Sequence, residues 1–166
     1  MPRYYVIRSS VTGGVDTLAA ATYCDAVTDL LTTLASGPGI YRGRGDGAES
    51  GPFIARIAIA PVVRGRAVTI DYEATSESGG LRHVEHTVLA TGEGGRLELH
   101  VACLDLPGVV RFVENEPGVF SAYDGPFPAR IVVGTPQPGA FIYAWWWSRN
   151  EDKPREQHRA EVRRSA

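Results

Sequence analysis

From Pro52 to Arg164 the sequence is a train of short runs that alternate apolar and polar residues. They read "PFIARIAIAPVV", "RAVTIDYEATS", "LRHVEHTVLAT", "GRLELHVACL", "GVVRFVEN", "GVFSAY", "ARIVVGT", "AFIYAWWWS" and "QHRAEVRR". Gly, Pro, Asn or Asp separates most of them. Successive side chains of a strand point to opposite faces, so each run can bury one face and wet the other. Short strands recurring about every ten residues fold into an antiparallel barrel or sandwich.

One segment breaks the period. Tyr23, Ala26, Val27, Leu30, Leu31 and Leu34 follow the spacing of a helix with one buried stripe. Thr22 and Asp25 resemble a capping box, and Gly37-Pro38-Gly39 stops the helix. A helix over 22–35 ahead of a strand meander narrows the expectation to an all-β, antiparallel barrel of eight to ten strands, closed at one end by that helix. Residues 1–18 form an N-terminal arm or an extra strand, and 19–166 form a single barrel domain. A barrel of that size holds side chains or one small ligand, so function is expected inside it or at its mouth.

The chain has 166 residues and a formal net charge of −2. That is one domain with a substantial core and no electrostatic footprint for nucleic acid or an anionic membrane. Arg159, Arg163 and Arg164 are interleaved with Glu161, as on a solvated strand edge. No run reaches the roughly 18 apolar residues of a membrane span. "MPRYYVIRSS" lacks the apolar core of a signal peptide, and Cys24 and Cys103 match no metal or redox spacing. A cytoplasmic protein with two free thiols is expected. Whether it pairs as a homodimer stays open.

Four histidines could carry chemistry. His158 shares its parity with Ala160 and Val162, which turns it inward on the last strand. It is read as a satisfied core residue or, functionally, as an axial ligand to heme iron or a catalytic base. His83 and Glu85 share a face and form either an acid/base pair or a polar network at the barrel mouth. His86 and His100 are expected to face solvent. Tyr143, Trp145 and Trp147 share a face opposite Trp146, as barrel core or as the wall of a site for a flat apolar ligand. Gly39, Gly43, Gly45 and Gly47 share one strand face, which suits sharp bending and close approach rather than phosphate binding. Tyr41 and Arg164, on the first and last strands, are expected to meet inside the closed end. GxSxG, HExxH and CxxC are all absent.

Four stretches in order resemble nitrobindin and its relatives, small calycin-type barrels that bind heme. "GIYRGRGDG" (39–47) fits the family's GxWxGxGxG strand, with Tyr41 for Trp. Pro52-Phe53 fits the next strand's start, His83-Val84-Glu85 its HxE strand, and Pro154 to His158 its P-x-x-x-H segment. The resemblance spans roughly residues 20 to 164. It implies a heme b with His158 as the iron ligand, nitric oxide binding, and isomerisation of peroxynitrite to nitrate; the aromatic wall read from strand parity, Tyr143, Trp145 and Trp147, is expected beside that cofactor. His83 and Glu85 would line the site. The sequence departs from the family at "ACLDLPG" (102–108), at Thr87, and in the bulk of Trp145 to Trp147, which could fill the heme space. The rival expectation is a heme-free barrel acting on an apolar small molecule by isomerisation or cyclisation, with a pocket His or carboxylate as catalyst.

Overall fold

The computed structural model describes residues 30–123, 125–148 and 153–165. The N-terminal arm and the expected start of the helix, with Tyr23, Ala26, Val27 and Thr22, lie outside the described residues. The described part of the helix, α1, covers residues 30–36. Its Leu34 is buried, and Leu30, Leu31 and Ala35 pack against the core. No described helix is long and apolar enough to cross a membrane.

Ten strands follow. They are β1 (Gly39–Gly47), β2 (Gly51–Val62), β3 (Ala67–Ser76), β4 (Leu81–Thr91), β5 (Leu97–Cys103), β6 (Val109–Glu116), β7 (Val119–Ala122), β8 (Ala129–Gly134), β9 (Ala140–Trp147) and β10 (Arg155–Arg164). Each pairs antiparallel with its sequence neighbour, and β1 pairs with β10 to close the barrel. Closure leaves no free sheet edge. The period-two pattern of the sequence is the physical cause. On β2, Phe53, Ala55, Ile57 and Ile59 are buried while the residues between them are not. On β4, His83, Glu85, Thr87 and Leu89 take the inner face.

The closing seam depends on glycine. Gly43 lies opposite Val162, and Gly45 opposite Ala160 on β10 and Phe53 on β2. A Cβ on Gly43 would stand 2.0 Å from the Glu161 carbonyl oxygen, and one on Gly45 would stand 2.1 Å from Cζ of Phe53. The missing side chains let β10 close against β1 and let the Phe53 ring lie across Gly45.

Tyr41 and Arg164 are cross-strand partners, as their parity requires. Arg164, however, is exposed while Tyr41 is buried, so the two do not meet inside the barrel. The cations over aromatic rings among the described residues are Arg111 on Tyr123 and Arg130 on Trp146. Arg164 sits on the last residue of β10, where the wall ends and water competes for the guanidinium. The Tyr41 hydroxyl instead donates to the Gly37 carbonyl after α1, at 2.7 Å.

Candidate functional site

The polar centre of the interior is Glu85, whose side chain is wholly buried. Its Oε2 accepts from Nε1 of Trp145 at 2.8 Å and pairs with Nε2 of His83 at 3.0 Å. Its Oε1 accepts from the Thr87 hydroxyl at 2.6 Å and from the Tyr143 hydroxyl. β4 and β9 stand five places apart in a ring of ten strands, so the bonds from Tyr143 and Trp145 cross the barrel from wall to wall, while His83 and Thr87 are neighbours of Glu85 on β4. Four donors give a buried carboxylate the hydrogen bonds that keep it ionised. Burial alone would raise its pKa. The hydrogen bond and charge of His83, helped by Thr87 and Tyr143, outweigh burial and hold it below the usual carboxylate range.

His83 carries the matching charge. Its Nδ1 reaches Oδ2 of Asp105 at 3.2 Å, so the ring lies between two carboxylates. Burial opposes its charge, but Glu85 and then Asp105 prevail and raise its pKa. The Tyr143 hydroxyl is pushed far above the ordinary phenol range by burial and then by the Glu85 charge, so it stays a donor.

His158 is the opposite case. Its ring packs among Phe53, Tyr72, His83 and Trp145, with centroids 6.0, 5.8, 5.2 and 6.4 Å away. Burial first, and the His83 charge second, lower its pKa to about 4, so the imidazole is neutral at neutral pH. Its Nε2 is buried without a hydrogen-bond partner. The register of β9 against β10 shifts between Glu156 and His158, so the strand enters the barrel wall through an irregularity just before the histidine.

A cavity of about 270 Å³ opens from this cluster toward solvent. Phe53, Leu106, Phe127, Trp145 and Trp147 supply apolar walls, His83 and His158 the deeper polar surface, and Arg82, Asp105 and Glu49 further charged lining. Cys103 also faces it, with its thiol pushed up to about 11 chiefly by burial, so the group is protonated.

The structure therefore brings together His83, Glu85, Tyr143, Trp145 and His158, and sets Trp147 at the cavity wall. Glu85 and Tyr143 lie beneath the cavity rather than on its surface. Trp146 takes the outer side, under Arg130. His86 and His100 face outward, paired with Asp71 at 2.6 Å and Glu98 at 3.4 Å. Sequence reasoning missed Asp105, Phe53 and Leu106 as site residues. Phe53 was legible as the inward residue opposite Gly45, whereas Asp105 and Leu106 lie in a turn, where parity says nothing.

No protein-family model matches the chain, and no curated protein does. Among solved structures, Rv2717c from M. tuberculosis matches with a TM-score of 0.59 at 15% identity, over 82% of this chain and 97% of that one. A de novo designed fluorescence-activating β-barrel matches with a TM-score of 0.47 at 12% identity, over 80% and 98%. The likeness to Rv2717c is one of fold. Fold and cavity together define the class: a small closed ten-stranded antiparallel barrel with room for a small ligand inside.

Proposed function

We propose that this barrel binds heme b in its cavity with His158 as the iron ligand. One observation carries the reading: a half-buried, neutral imidazole whose Nε2 is buried and unclaimed, in an interior where the neighbouring carboxylate has four donors. Leaving a buried nitrogen unpaired costs about 1–3 kcal/mol. A neutral imidazole nitrogen is also the form that ligates metal. The residues fit the group in donor type and in their apolar surfaces, Phe53, Leu106 and Trp145, and seating the macrocycle requires the Trp145 indole to swing aside.

When bound, heme would supply an iron with one open position for a small ligand, and the nitrobindin resemblance extends this to nitric oxide and peroxynitrite. The chain's own part is to keep His158 neutral through burial, to exclude water with Phe53 and Trp145, and to hold a proton on His83 between Glu85 and Asp105. The reading is of a cytoplasmic protein. The test is a hemin titration of wild type and His158→Ala. A sharpened Soret band in wild type that weakens in the variant supports ligation, and identical spectra overturn it.

A second reading is favoured by the cavity itself. At about 270 Å³ it falls just below the range of roughly 300–1,000 Å³ for drug-sized ligands. A heme-free barrel for a smaller apolar molecule would use the His83–Glu85 pair for proton transfer in an isomerisation or cyclisation. Binding of 1-aminonaphthalene by wild type that hemin fails to displace would favour this reading.

A further inference from the structure

We propose that Trp145, latched across the barrel by Glu85, sets the upper size of the ligand this cavity accepts. The inference rests on the cavity being a ligand site, but not on the ligand being heme.

Trp145 is 3% exposed yet contributes a wall of the cavity. Two contacts fix its indole. Nε1 donates to Glu85 on the opposite wall at 2.8 Å, and the ring stands edge-on to Phe112 with centroids 5.4 Å apart. It also neighbours His83 at 6.1 Å and His158 at 6.4 Å, so it stands between the polar floor and the anchoring histidine. An indole nitrogen is a donor only, so it cannot exchange this bond for a donor from the ligand. Glu85, being ionised, accepts a charge-assisted bond, the stronger kind. With the latch closed, the space suits a fused bicyclic molecule. A macrocycle fits only when the indole is withdrawn or trimmed. The bulk of the tryptophan run thus becomes a selective element of the site rather than an obstacle to ligand binding.

The experiment compares wild type, Trp145→Ala and Trp145→Phe with three flat probes: 1-aminonaphthalene, 1-aminopyrene and hemin. Trp145→Phe keeps an aromatic wall without the latch and serves if the alanine variant does not fold, and thermal melts check both. In wild type, 1-aminonaphthalene binds at least tenfold tighter than 1-aminopyrene. In Trp145→Ala the smaller probe loses a wall and binds no tighter than in wild type, while 1-aminopyrene gains at least tenfold, with Trp145→Phe between. Hemin, where it binds, associates at least tenfold faster with Trp145→Ala. Equal size preference in wild type and both variants overturns the proposal. A gain for 1-aminopyrene with no hemin binding to any protein upholds the size limit and overturns the heme reading. Absence of binding by all three probes to every variant overturns the cavity as a ligand site, and the size limit with it.

Discussion

Replacing Glu85 by glutamine removes one charge from the most heavily bonded carboxylate of the interior and adds an NH₂ group there. The amide nitrogen must face one of two pairs of donors. Toward Trp145 and His83 it would meet an indole N–H that cannot accept. Toward Thr87 and Tyr143 it meets hydroxyls that can rotate and accept, so the glutamine oxygen keeps Trp145 and His83. All four hydrogen bonds survive in number but lose charge assistance. Bonds to charged groups contribute about 1.5–3 kcal/mol and neutral ones about 0.5–1.5, so roughly 4 kcal/mol is lost over four. Removal of the carboxylate's desolvation cost returns part of this, leaving a net loss of about 2–4 kcal/mol. For a chain of this length that lowers Tm by roughly 4–16 °C. The sign with pH follows from the lowered pKa of Glu85. Its stabilisation is full above the unfolded carboxylate value of about 4.3 and is lost as pH falls through the folded value. Urea titrations of both proteins at several pH values read this directly. The reasoning is refuted if Glu85→Gln lies within about 0.5 kcal/mol of wild type at pH 7, or if the gap widens in acid.

The two inner histidines should give the ligand-free protein a stability maximum near pH 6.5. His158, folded near 4 against about 6.5 unfolded, takes away about 2 kcal/mol between pH 6.5 and 5 as the unfolded chain binds the proton, and His158→Phe removes that limb. His83, with its pKa raised, contributes stability below 6.5 that is lost as pH rises through its folded value, and urea midpoints against pH display both limbs. Gly43→Ala should cost at least about 2 kcal/mol, since its Cβ falls 2.0 Å from one β10 backbone atom and 2.8 Å from another. Gly134→Ala, whose Cβ meets only Ile142 atoms at 3.6 Å and beyond, should stay within about 0.5 kcal/mol in the same melts.

The strands were legible because each keeps one apolar face, and a one-residue slip would turn that face to water. The inward turn of His158 followed from the same parity, read against Ala160 and Val162, and so did the shared face of His83 and Glu85. What parity cannot give is depth and partnership. Glu85 meets Tyr143 and Trp145 only because closure sets β4 opposite β9, and that depends on the count and register of every strand between them. Arg164 shares the inward parity of Val162, yet it ends the strand where the wall stops, so it is exposed. Asp105 reaches His83 from the β5–β6 turn, a segment whose conformation no hydrophobic period constrains.

The central claim is that His158 holds the ligand through its free ring nitrogen. It is tested most directly by resonance Raman spectra of the reduced hemin complex of wild type and of His158→Gly, the latter with and without added imidazole. The account predicts an iron–imidazole stretch in wild type, its loss in His158→Gly, and its return when free imidazole fills the space the side chain left. A stretch that persists in His158→Gly without imidazole, or that is missing from wild type, would contradict it.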